Sequence, residues 1–177
     1  MQKCTFALTL ASSLLQLYDT PWLPRDWEMK DIFFLKNHGG NTIPSQFYVL
    51  QTFTSASQVA AAAKRRQLVK NEMVFALGVA LLELTHGASI LSFKEPQDLG
   101  ENVEEDSMTE VLIAFRLARE LNSYESENYA LAVLRCIECN FRTFAFDFDD
   151  QKFREVFYQE VVVPLQEDYG HATQRKL

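Results

Sequence analysis

Residues 24–35 read PRDWEMKDIFFL, an Arg25-Asp26 pair, a second acid at Asp31 and then a short apolar run. Two carboxylates this close together raise three readings: a phosphotransfer loop, the remains of one, or an ordinary loop feeding a strand. Other chemistry-bearing groups are sparser. Cys136 and Cys139 form a C-x-x-C pair, but no second Cys or His pair completes a zinc set, and His38, His86 and His171 are scattered. The surrounding pattern is helical, so these cysteines are read as buried free thiols in a reducing, cytoplasmic compartment. Glu101, Glu104, Glu105 and Asp106 lack calcium-loop spacing and read as a solvated acidic loop. Asp147, Asp149 and Asp150 are accounted for as a helix start. No serine sits in a G-x-S-x-G elbow, and KNHGGNTIPS at 36–45 has neither a Walker nor a dinucleotide pattern. No residue is therefore assigned as catalytic, cofactor-binding or metal-binding, and no cofactor is expected.

The balance of the chain sets limits on partners. Its 177 residues are enough for one domain with a real core. With 14 Phe and only 6 Gly and 5 Pro, disorder is disfavoured. A formal charge of −7 argues against nucleic acid or an anionic membrane as the main partner. Lys64-Arg65-Arg66 with Lys70 runs against that balance and reads as a solvated helix face. The apolar run Met73–Leu82 is shorter than the roughly 20 residues that span a bilayer, so no membrane span is expected.

Periodicity places the elements that would position these groups. Phe6, Leu10, Leu14 and Leu17 fall on one helical face, and that helix should end near Tyr18, since Thr20 precedes Pro21. Ile32–Leu35 and Phe47–Phe53 are strand candidates, making a small hairpin. Gln58–Arg66 is an alanine-rich helix candidate. Asn71–Thr85 forms a helix closed by Gly87, with Met73–Leu82 enclosed on most sides. Glu83 within it needs a partner. Ser107-Met108-Thr109-Glu110 has capping-box form and starts a helix reaching about Leu121. Ser126 to about Asn140 is another, burying Tyr129, Val133 and Ile137. A last helix opens at Asp149 or Asp150, aligns Phe153, Phe157, Val161 and Leu165, and should kink or restart at Pro164. Residues 1–170 are read as one domain and 171–177 as a frayed polar tail.

These blocks resemble parts of a protein kinase. Leu17-Tyr18 stands where a kinase helix ends in Leu-His, and the step to Arg25-Asp26 matches the spacing of the catalytic loop His-Arg-Asp-x-x-x-x-Asn. Asp31 falls at the metal-binding Asn, and Phe75, Gly78, Val79, Leu82, Glu83, Leu84 and Gly87 match a buried helix of the large lobe. ALAVLRCIECNF is similar to the kinase helix bearing Arg-Cys-Leu. A fuller resemblance, over residues 7–170, is to a fungal family carrying a C-terminal domain of unknown function. Its blocks are LASSLLQLYDTPWL, KDIFFL, FALGVALLEL, AVLRCIECNF and FREVFYQEVVVPLQEDYG, and its members often carry a helical N-terminal region of the kind found near prion-inhibition and heterokaryon-incompatibility domains. The resemblance implies a mainly α, kinase C-lobe-like domain with a small β-hairpin and no N-lobe; that the chain is whole and that it is a fragment of a longer fungal protein are both open readings.

The same resemblance allows the chemistry to be weighed. Phosphoryl transfer requires several parts to be in place together. Asp26 could stand for the base and Asp31 could hold magnesium. Against that, Pro24 replaces the motif His, and Glu28 puts an anion where a Lys stabilises the transferred phosphate. Pro44-Ser45-Gln46 stands where Asp-Phe-Gly should begin. The expectation is a non-enzymatic, pseudokinase-like interaction or regulatory module. Its surface would be the apolar area a small lobe normally hides, around Trp22, Trp27, Phe33 and Phe34. Strand alternation lets only one of Phe33 and Phe34 face outward. The alternative is a nucleotide-binding or phosphotransferase remnant using Asp26 and Asp31.

Overall fold

The structure, a computed structural model, describes residues 2–18, 20, 22–23, 27, 29–36, 42–49, 69–99 and 108–174, with the side chains of 30, 34–36 and 42–49 outside that description. Helix α1 (Gln2–Leu17) buries Ala7, Leu10, Ala11 and Leu14. It ends as expected, with the Thr20 amide and hydroxyl both donating to the Leu17 carbonyl, at 3.0 and 2.8 Å. A 3-10 turn, Met29–Asp31, leads into β1 (Ile32–Lys36), which pairs antiparallel with β2 (Thr42–Val49).

The second strand differs from the sequence reading, beginning at Thr42 instead of Phe47. Pairing decides this: Ile32 faces Val49, Phe34 faces Phe47 and Lys36 faces Thr42, so β1 draws part of the glycine-flanked loop into the ladder. Pro44 is tolerated because a two-stranded sheet has only edge strands. An irregularity between Phe34 and Lys36 absorbs the register change. The Gln58–Arg66 helix candidate, Lys64-Arg65-Arg66 and the acids at 101–106 lie outside the described residues.

Helix α2 (Glu72–His86) is the centre of the molecule. Asn71 caps its start, its Oδ1 accepting from the Val74 amide at 3.0 Å. Gly87 caps its end at φ 68°, a left-handed conformation that glycine adopts without penalty. From Met73 to Leu82 every residue except Ala76 is buried. The helix packs against α1, α3 (Thr109–Glu120) and α4 (Glu127–Glu138), most extensively against α4. Gly78 allows that contact, since a Cβ there would lie 2.6 Å from Ile137 Cδ1.

The remaining helices follow their patterns closely. α4 is capped by Ser126, whose Oγ accepts from the Tyr129 amide at 3.1 Å, and it buries Tyr129, Val133 and Ile137. Its end is a Cys139 in the left-handed region at φ 46°. The capping-box serine of α3, Ser107, lies outside the described residues. Asp150 caps α5 (Gln151–Phe157), which passes through a π turn (Tyr158–Val162) into α6 (Val163–Gln174). The π turn is the restart expected of Pro164: with no N–H at that position, the ladder shifts by one residue before it. Phe153, Phe157, Val161 and Leu165 are all buried. The helix continues past residue 170 through Gln174, where the sequence reading placed a frayed tail. The Thr173 hydroxyl, donating to the Tyr169 and Gly170 carbonyls, lies within that extra turn.

Candidate functional site

The stretch that raised the question of phosphotransfer is only partly described. Pro24, Arg25, Asp26 and Glu28 lie outside the described residues. Asp31 is half-buried at the end of the 3-10 turn and at the mouth of β1. The expected pairing of Asp26 with Asp31 therefore lies outside the described residues. The turn packs against α2, which holds the start of β1 to the molecular centre.

Of the four aromatics expected at the surface, the three whose side chains are described divide two to one. Trp22 is 73% exposed and Phe33 46% exposed. Trp27 is a correction: it is only 3% exposed and belongs to the core cluster, along with Leu23 and Ile32. The reason is tertiary, because burying the indole removes a large apolar area from water. Its indole N–H meets no acceptor among the described residues. The side chain of Phe34 lies outside the described residues.

A cleft that sequence reasoning missed lies between the end of α1, the start of α2 and the segment preceding α5. It encloses about 440 Å³ and is half-open. Tyr18, Met73 and Phe148 are among its lining residues, and Glu72, Asp147 and Asp149 place carboxylates around it. Tyr18 stacks on Phe148 at 5.3 Å, and the Arg154 guanidinium lies 5.7 Å from the centre of the Tyr18 ring. Lys70 is the cation at the rim, with Nζ 4.6 Å from the centre of the Phe146 ring and 3.5 Å from the Cys139 carbonyl. Asn71 ties the two walls together, its Nδ2 donating to the Phe146 carbonyl at 2.7 Å. No local sequence pattern announces this cleft, since its walls come from three distant segments.

Buried polar groups elsewhere are paired as structural elements. Glu83, flagged by its helix context, accepts the Ile90 amide at 3.1 Å and so holds the following 3-10 turn (Ile90–Phe93). Arg116 on α3 reaches Asp98 Oδ2 and the Phe93 carbonyl, both at 2.6 Å, and Glu95 Oε1 at 3.1 Å. The hydrogen bond from Arg116 holds the Asp98 carboxyl below the ordinary aspartate range, against the opposing effect of burial. The thiols are free, and those of the C-x-x-C pair are buried. Burial pushes Cys136 well above a normal thiol and Cys139 up to about 11, so neither is a ready thiolate. Among the described residues, no group of three or more His, Cys, Asp or Glu side chains is placed to hold a metal ion.

What these features define is a mainly helical domain with a two-stranded hairpin, built around one buried helix. Residues 1–171 match the family described as domain of unknown function (DUF7580), and the chain belongs to that family. No curated protein and no solved structure matches the chain. Among the described residues, no helix is long and apolar enough to cross a membrane.

Proposed function

We propose that the chain is a non-catalytic protein-interaction or regulatory module, on a helical scaffold like the large lobe of a protein kinase. The observation that carries this reading is Trp22, 73% exposed beside the stretch that resembles a catalytic loop, with Phe33 on β1 also exposed. A large apolar ring left in water at such a place is the kind of residue that anchors an interface. The reading is supported further by Pro24, Glu28 and Pro44, which stand where kinase chemistry needs other residues.

Paired measurements test it. A chain with Trp22→Ala and Phe33→Ala should melt within a few degrees of the wild type, since exposed side chains contribute little to stability. The same double substitution should lose most of whatever protein the wild type captures from fungal extract. Equal capture by both chains would refute the reading. Alongside, the alternative remnant using Asp26 and Asp31 predicts a raised melting temperature with ATP and magnesium, abolished by Asp31→Ala. No shift at roughly millimolar nucleotide removes that alternative.

A further inference from the structure

The last helical run changes register at a point where its own backbone lacks a donor. In an unbroken α-helix the amide of residue 164 donates to the carbonyl of residue 160, and Pro164 has no amide to give. The π turn moves the ladder by one residue just ahead of it, the Val163 amide donating to the Tyr158 carbonyl. That shift lets the helix resume beyond the proline, but it does not create the missing N–H. A carbonyl in a packed stretch then needs a donor from elsewhere.

The donor comes from a neighbouring helix. Arg135, in the last turn of α4, donates from Nη1 to the Glu160 carbonyl at 2.9 Å. The same guanidinium turns its Nε toward the carboxylate of that residue, 3.3 Å from Oε2. The two side chains are 25% and 13% exposed, so water competes weakly for the contact. Arginine suits this double grip because its donors are set in a rigid planar fork, whereas lysine offers one point charge. Arg142 adds little, with a contact of 3.6 Å to Oε1 from an exposed side chain.

What the grip controls is the face that the final helix turns inward. Val161 and Val162 lie beside it and Leu165 one turn further on, all buried. Slipping the ladder by one residue would rotate everything beyond it by about 100° and carry Leu165 out of the core. We propose that Arg135 is a backbone clasp: its guanidinium stands in for the amide that Pro164 lacks and locks the last helix in the register that seats Leu165. This conformational device is separate from the interaction surface at Trp22 and Phe33.

A double-mutant cycle followed by urea unfolding tests the clasp. Arg135→Met keeps an apolar stem but removes every donor, and it should lower the folding equilibrium constant about tenfold or more. Pro164→Ala supplies an amide where none existed, and in that background Arg135→Met should cost only about threefold. Glu160→Gln separates the carbonyl from the ion pair, since it removes the carboxylate charge and leaves the carbonyl in place. The coupling between positions 135 and 164 should persist in it. An equal cost of Arg135→Met with Pro or Ala at position 164 overturns the proposal. A coupling that vanishes with Glu160→Gln also overturns it, assigning the effect to the ion pair. Should Arg135→Met alone fail to fold, Pro164→Ala should rescue it, and a doubly substituted chain that stays unfolded overturns the clasp.

Discussion

Asp98 shows how a single residue acquires a role that its neighbours in sequence do not disclose. It is 3% exposed and lies at the end of a 3-10 turn (Pro96–Asp98) in which its carboxylate also accepts the Glu95 amide at 2.9 Å. Arg116, on α3, supplies the cation. Because the folded carboxyl titrates below its usual range, its contribution to stability is fully present above the pKa of the unfolded chain, about 3.9. That contribution is lost as pH falls through the lower, folded value. Asp98→Ala should cost about 3 kcal/mol at neutral pH, since it strands a half-buried guanidinium. Urea unfolding should show the difference from wild type narrowing as the pH falls from about 3.9 through the folded value, and levelling off below it. A gap that stays constant into acid would refute this account of Asp98.

At the scale of elements, the tightest constraint is where α2 crosses α4. A methyl group at Gly78 would sit 2.6 Å from Ile137 Cδ1 and 3.0 Å from Cys136 Cβ. The first neighbour can swing away, while the second is fixed to the backbone of α4. Gly78→Ala gains about 1 kcal/mol of helix propensity but faces an overpacking cost of about 1–3 kcal/mol. The crowding should win by about 1 kcal/mol, because Cys136 cannot retreat without moving its helix. Adding Ile137→Val removes the closest atom, and in a double-mutant cycle it should cost less in the Gly78→Ala background than in the wild type. Tyr129 reinforces the same crossing, its hydroxyl donating to the Leu81 carbonyl at 2.9 Å. Desolvation raises that phenol far above its ordinary pKa, so it remains a donor throughout the neutral range.

Among the described residues the core is one apolar cluster with two parts that α1 joins. One is the α2–α4 crossing; the other is a set of phenyl rings, with Phe148 at 5.1 Å from both Phe153 and Phe157. α1 touches both, packing on α2 and on α6, while Tyr18, the residue that follows it, stacks on Phe148. Amides of Val74–Leu82 should therefore exchange with solvent only through global unfolding, at the slowest rates in the protein. Amides of α6 beyond Leu165 should exchange faster by sub-global opening, since Leu165 is its only buried residue. Hydrogen exchange followed by mass spectrometry decides this; equal protection in both helices would contradict a single central helix.

Local patterning was sufficient for α1, α2, α4 and the final helix, because their caps and apolar stripes are written within a few residues. Asn71, Gly87, Ser126 and Asp150 each close or open a helix as their side chains or backbone freedom predict. The buried run from Met73 to Leu82 likewise declared itself, since a helix with no polar face must be enclosed. Tertiary structure alone decided the extent of β2, which depends on the strand opposite, and the burial of Trp27 beside the exposure of Trp22. It alone also paired Asp98 with Arg116 and brought Tyr18, Met73 and Phe148 around one cleft. Periodicity records which way a side chain points from its own backbone; which distant segment meets it there is set by packing of the whole chain.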